Sequence, residues 1–219
     1  MMEKQGNACP ADAELLAGWL AARSIARGLP PPVPKHGGMR VDTGLPNEIR
    51  RYVFAGPVRE IRNLALSISA PHIFIKMCGS GEQLLALMPP GWRLQPASYL
   101  MTHSCAWDAP ILPTGYRFEV LSEQAATLVR IVASDGSLAA SGYALEYGGV
   151  FIFDRIVTEP AHRRRGLGKA LMAALGSTQQ SSTARRVLVA TEDGRALYSS
   201  LGWLVHSPYS SASIAVCCD

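Results

Sequence analysis

The residues with the clearest chemical capacity are consecutive: Arg163-Arg164-Arg165-Gly166-Leu167-Gly168-Lys169. An apolar run, Leu171-Met172-Ala173-Ala174-Leu175, follows at once and predicts a helix over 168–178. The first amides of a helix lack intrahelical acceptors and carry partial positive charge. Glycines let a backbone approach a pyrophosphate closely, and arginines add charge and paired donors. The segment therefore reads as an anion cradle. Two familiar phosphate loops do not fit its spacing. A G-x-x-x-x-G-K-[ST] loop fails because Ala170 follows Lys169, and G-x-G-x-x-G fails because Leu171 stands three residues after Gly168. Taken alone, the arginine triplet is equally a solvated basic turn.

A cradle of this kind needs a strand before it and a helix behind it. Residues 150–158 supply the strand, which Pro160 prevents from continuing. Upstream, residues 126–134 alternate as a strand, Asp135-Gly136 is a turn pair, 138–147 is a second strand and Gly148-Gly149 a second hairpin turn. Downstream come a strand at 186–191, a helix at about 194–201 and strands after Gly202-Trp203. Strands first, then alternating helix and strand, predict a mixed sheet covered by helices, an α+β fold.

The first half is less regular. A helix at 11–27 carries Leu15, Leu16, Trp19, Leu20 and Ile25 near helical spacing and stops at Gly28. Pro30, Pro31, Pro32 and Pro34 then exclude helix and central strand in an arm that ends at Gly38. Short strands are expected at 39–41 and 52–55, a helix at 58–67, a strand at 72–78, a short helix at 82–88 and a strand at 92–101. A proline-containing loop, 102–115, divides this block from the next. Gly91-Trp92 lies 111 positions before Gly202-Trp203, with a similar order of elements around each. That order favours two related halves, 1–110 and 111–219.

At 219 residues, with 48% hydrophobic and 17% charged residues, the chain has ordinary globular composition. It is long for one domain and short for two, since domains cluster at about 100–150 residues. No apolar stretch approaches the ~20 residues a membrane helix needs, and the polar start does not read as a secretory leader. A cytoplasmic protein is expected, with neither membrane nor nucleic acid as partner. The net charge of +4, from 17 Arg and 4 Lys against 17 acids, is too small to imply nucleic acid by itself. Five cysteines, Cys9, Cys78, Cys105, Cys217 and Cys218, show no metal-ligand spacing; no metal site is expected.

The pattern Arg163-x-x-Gly166-x-Gly168, after a strand and Pro160 and before an apolar helix, resembles the coenzyme A motif of the GNAT superfamily of N-acyltransferases. Ala196-Leu197-Tyr198-x-x-x-Gly202-Trp203 is similar to that family's later motif, and one strand separates the two. The resemblance covers about residues 116–215. It implies a mixed, mostly antiparallel central sheet flanked by helices, tandem if the first half is a degenerate copy. It also implies acetyl-CoA as cosubstrate and acetyl transfer to a primary amine, of a small molecule or a peptide, by direct attack in a ternary complex. The pantetheine arm would pair along Ile156, Val157 and Thr158, and the pyrophosphate would sit on the amides from Arg164 to Lys169, through Arg165, Gly166, Leu167 and Gly168, beside Arg163. Tyr198 would protonate the departing thiolate, or else is a buried tyrosine packing beside Leu197.

The amine must lose a proton. Asp154 is the candidate base, because strand alternation places it on one face with Ile152, Ile156 and Thr158; an ion pair with Arg155 or another neighbour is its other reading. Glu146, His103 and His162 are weaker candidates, with His162 better read as flanking the phosphate turn. Thr191 stands where the family often has Asn. The first half has Leu87 at the position matching Tyr198 and no basic turn before its helix at 58–67, so it would have lost both cradle and donor. A CoA-binding regulatory module with little turnover is the alternative reading of the whole. A homodimer is left open.

Overall fold

Asp12 caps the first helix, α1 (Ala13–Ala26), by accepting the amides of Glu14 and Leu15 at 3.0 Å each. A computed structural model describes residues 11–107 and 109–215, so Cys9, Cys217 and Cys218 lie outside the described residues. The spacing of Leu15, Leu16, Trp19 and Leu20 puts all four on the buried face of α1. The proline arm forms an edge strand, β1 (Val33–Lys35), paired with β2 (Gly38–Leu45). Only an edge suits Pro34, which has no amide to donate. The half continues as β3 (Glu48–Phe54), α2 (Arg59–Ser67), β4 (Ile73–Cys78), α3 (Gly81–Leu85), β5 (Trp92–Leu94) and β6 (Ser98–His103). The strand expected over 92–101 is thus two strands. Pro96 sits in the break, where a residue with fixed φ and no amide ends the pairing.

The second half runs β7 (Tyr116–Glu123), β8 (Ala126–Ala133), β9 (Leu138–Tyr147), β10 (Val150–Thr158), α4 (Leu167–Gly176), β11 (Arg185–Thr191), α5 (Glu192–Ser200) and β12 (Leu204–Ile214). The separate strands expected after Gly202-Trp203 are one long strand, β12, whose register shifts between Val205 and Ser207, just before Pro208. All strands join one sheet in the order β1-β2-β3-β4-β12-β6-β11-β10-β9-β8-β7, with β5 also on β12. Among the described strand pairs only β3/β4 and β10/β11 are parallel. This is the mixed, mostly antiparallel sheet expected.

The two halves exchange strands. β6, from the first half, lies between β11 and β12. The far part of β12, from Tyr209 onward, leaves β6 to pair with β4 and β5 in the first half. The sequence β3-α2-β4-α3-β5 has the same element order as β10-α4-β11-α5-β12. In each, a glycine with positive φ (Gly91 +94°, Gly202 +85°) precedes a buried tryptophan, Trp92 or Trp203.

Alternation along the strands sorts the core onto two faces. Val41, Val53, Val150, Ile152 and Val187 pack with α1, so that helix spans both halves. On the other face Phe151, Phe153 and Trp203 pack under α4, while Phe54, Ile75 and Trp92 pack under α2 and α3. No described helix is long and apolar enough to cross a membrane.

Candidate active site

The site begins with a defect in β10. Against β9, Asp154 pairs with Tyr143 but Val157 pairs with Ser141, which leaves one residue too many on β10. Arg155 takes φ +52° to absorb it, the signature of a β-bulge. The bulge corrects the expected alternation. Asp154 stays on the α1 face with Ile152, whereas Ile156 joins the core under α4. It also bends β10 away from β11. These parallel strands pair only from Val150 to Ile152 against Arg185 to Val187, although both run on, to Thr158 and Thr191. The edges of 153–158 and 188–191 that face each other are left without strand partners, and an extended chain could pair there. By contrast, β3 and β4 stay paired over five positions, Arg50 to Phe54 with Ile73 to Met77, so the first half has no such gap.

The gap opens into a cleft of about 1350 Å³, lined by Ile156, Val157 and Thr158 on one side and by Leu188, Val189 and Ala190 on the other. At its mouth stands the basic turn. Gly166 caps α4 with φ +77°, and no side chain caps this helix; a Cβ there would meet nothing within 4 Å. The turn thus offers the first amides of α4 to whatever occupies the cleft. Arg163, Arg164, Gly166, Leu167, Gly168 and Lys169 all line it. Arg163 also donates from Nε to the carbonyl of Thr158 at 3.2 Å, tying the turn to the end of β10. Arg165 points elsewhere: its guanidinium donates to the Tyr116 hydroxyl at 2.8 Å. His162 bonds the same hydroxyl through Nδ1 at 3.1 Å, so His162 flanks the turn as its position predicted.

Tyr198 lines the cleft from α5 and is buried, 6.1 Å from the Trp203 ring. Burial alone pushes its phenol up to about 12, so the hydroxyl keeps its proton at neutral pH. Thr191 lines the cleft, where its hydroxyl caps α5 by accepting the Gly194 amide. Asp154 is enclosed by guanidiniums. Arg27 donates to both its oxygens, at 2.5 and 2.7 Å, with Arg155 at 3.6 Å and Arg23 at 3.7 Å. Burial pushes this carboxyl up, but the Arg27 hydrogen bonds and the charges of Arg23, Arg27 and Arg155 outweigh it and hold it below its usual range.

The remaining titratable candidates are spoken for. Glu146 accepts the amides of Gln180 and Ser181, fixing the turn after α4. His103 stacks on Trp107 with ring centroids 4.5 Å apart, and burial followed by the charge of Arg186 lowers its pKa. The sequence pattern did not single out Arg23, Arg27 and Lys76, which line the cleft from the first half. Their one legible signal was the i, i+4 pair Arg23/Arg27 at the end of a mostly apolar helix. No group of metal-ligating side chains occurs among the described residues.

Comparison with known proteins matches this geometry. Residues 123–204 fit the family model described as an acetyltransferase (GNAT) domain. The fold is similar to a GCN5-related N-acetyltransferase from Kribbella flavida, with TM-score 0.65 at 14% identity over 95% of this chain and 97% of that one. It is also similar to a GCN5-related N-acetyltransferase-like protein from Streptococcus suis, with TM-score 0.55 at 14% identity over 82% and 84%. A GCN5-related N-acetyltransferase from Sphaerobacter thermophilus gives TM-score 0.54 at 17% identity over 68% and 62%. No curated protein sequence matches the chain. The segment that matches the acetyltransferase (GNAT) domain, residues 123–204, spans the bulged strand, the basic turn, Tyr198 and Gly202-Trp203.

Proposed function

We propose that this protein transfers the acetyl group of acetyl-CoA to a primary amine, of a small molecule or a peptide, by direct attack in a ternary complex. One observation carries the reading: the splayed β10/β11 edges, the glycine-capped basic turn and Tyr198 all border a single cleft. The pantetheine arm would lie in the gap and pair with the free edge at Ile156, Val157 and Thr158. The pyrophosphate would rest on the amides from Arg164 to Lys169, with the charges of Arg163 and Arg164 beside it. Arg165 would act at second hand, bracing the turn through Tyr116.

The amine nitrogen attacks the thioester carbonyl, the new N–C bond forms, and the C–S pair leaves on sulfur. Tyr198, still protonated, donates a hydrogen bond to that sulfur as negative charge develops on it. Its high pKa makes it a hydrogen-bond donor first and a proton donor only if the thiolate keeps the proton. Asp154, already paired with three arginines and less basic than usual, serves as their counter-ion. The amine's proton then leaves to water in the cleft.

We read the first half, to about residue 110, as a GNAT-like unit without a donor site, completed by β12 as the second unit is completed by β6. The closed β3/β4 pair and Leu87 support that reading. The free thiols of Cys78 and Cys105 fit a reducing compartment, and we place the protein in the cytoplasm, acting on neither nucleic acid nor membrane.

The test is release of free thiol from acetyl-CoA across a panel of primary amines. Amine-dependent release is expected, with Tyr198→Phe lowering kcat about 10²-fold while the Kd for acetyl-CoA stays within about twofold. Acetyl-CoA binding without transfer to any amine would instead favour a CoA-binding regulatory module. Full activity in Tyr198→Phe would remove the role given to its hydroxyl.

A further inference from the structure

The cleft wall where α1 and β4 meet β10 and β12 carries more positive charge than it neutralises. Arg23, Arg27, Lys76 and Arg155 line it, with Asp154 as the carboxylate among them. Three guanidiniums share that carboxylate, and Arg23 reaches it only at 3.7 Å. Behind Lys76, Glu48 is divided between the Lys76 ammonium at 3.0 Å and Arg51 at 2.5 Å. Five cations therefore face two carboxylates. Glu192 and Asp193 border the cleft from α5, where Glu192 is bound to Arg195 at 2.7 Å and takes the Tyr99 hydroxyl at 2.5 Å.

Burying uncompensated cations is costly unless something pairs with them. The strain shows in the groups themselves. Burial, reinforced by Arg27, pulls the Arg23 pKa down, and burial pulls Lys76 down against the pull of Glu48. Trp19 and Phe74 lie under Arg23 and Lys76, at 5.5 and 5.2 Å, giving the cations an apolar backing. Ser211 also lines this wall, and its Oγ is a buried polar atom with no hydrogen-bond partner among the described residues. The cluster lies along β10 from the donor site: Asp154 is four residues before Thr158, on the order of 13 Å along a strand.

We propose that the amine acceptor also carries an anionic oxygen group, a carboxylate or a phosphate ester, bound by Arg23 and Lys76 with Ser211 as a further donor. This rests on the acyltransferase reading of the cleft. Guanidinium forks suit such groups, and the ligand anion supplies the charge that Asp154 and Glu48 leave unmatched.

The test uses the full chain saturated with CoA and measures binding by titration calorimetry. The probes are linear amino carboxylates, the L-amino acids and aminoalkyl phosphates, each against its methyl ester or the alkylamine of equal length. At least one anionic probe should bind tenfold or more tightly than its neutral counterpart, about 1.4 kcal/mol, and the carboxylate and phosphate arms tell the two groups apart. Lys76→Met and Arg23→Met should each erase the preference, and Lys76→Arg should keep it. Because Lys76→Met leaves Glu48 unpaired, Lys76→Met with Glu48→Gln serves as the charge-balanced form, with acetyl-CoA binding as the check on folding. Equal binding of anionic and neutral probes throughout, or a preference that survives both methionine variants, overturns the proposal. The readout needs no turnover: anion preference without acetyl transfer would sink the transferase reading alone, and transfer to neutral amines without anion preference would sink this one alone.

Discussion

At the scale of single residues, chemistry in this cleft depends on which groups keep or lose their protons. The proposed transfer uses Tyr198 as a phenol, and burial keeps it in that form below its raised pKa of about 12. Ionisation of Tyr198 should therefore add no alkaline limb to the kcat–pH profile below that value, and a limb near 10 that vanishes in Tyr198→Phe would contradict its burial. Asp154 works in the other direction. Its depressed pKa contributes stability that is present above the unfolded carboxyl value and is lost as pH falls through the folded one. Asp154→Asn removes the shared partner of three arginines at any pH. It should cost on the order of 3 kcal/mol, a drop in Tm of roughly 10 °C, read by thermal melting; an unchanged Tm would mean the arginines do not depend on it. The sequence marked Asp154 and Tyr198 by position, but not their states. Those are set by Arg23 and Arg27, more than a hundred residues away in the chain, and by the packing around Trp203, which no local pattern encodes.

At the scale of elements, the bulge in β10 is the decisive feature. Hydrophobic alternation across 150–158 located the strand and its end at Pro160, but a pattern of period two assumes an unbroken pleat and so put Asp154 and Ile156 on one face. The extra residue at Arg155 separates them and parts β10 from β11. Deleting Arg155 should restore the pleat, let the two strands pair further and close the gap. Acetyl-CoA affinity should then fall at least about tenfold, while circular dichroism keeps the native content of helix and strand. Undiminished affinity would show that the gap is not where the pantetheine arm lies. The basic turn between β10 and α4 was legible in Pro160 and the glycines after it, whereas the arginine triplet by itself reads equally as a solvated turn. Proline punctuation is informative in the same way at Pro34, and Pro96 divides β5 from β6 within a run whose residue types otherwise suit one strand.

At the scale of the whole molecule, length alone left one domain or two undecided, and the Gly-Trp echo favoured two similar halves. Element order in the structure has that repetition, yet neither half closes its own sheet: β6 fills the place between β11 and β12, and β12 reaches back to β4 and β5. Strand exchange leaves no local trace, since β6 and β12 read as ordinary strands wherever they pair. Residues 111–219 expressed alone should lack the strand that lies between β11 and β12, expose Leu188 and Trp203, and fail to give a cooperative melt. Adding residues 1–110 in trans should recover one. A native-like melt from 111–219 alone would show that the exchange is dispensable.

In the proposed complex the turn at Gly166 holds the pyrophosphate of acetyl-CoA, and titration of acetyl-CoA into the wild-type protein and Gly166→Glu tests this. A side chain at φ +77° strains the turn, and the added carboxylate sets negative charge against the phosphates; Gly166→Ala, which adds the strain without the charge, separates the two effects. The expected result is a rise in Kd of about 10²-fold or more for Gly166→Glu, about 2.7 kcal/mol, and a much smaller rise for Gly166→Ala. Equal affinity in wild type and Gly166→Glu would contradict the account.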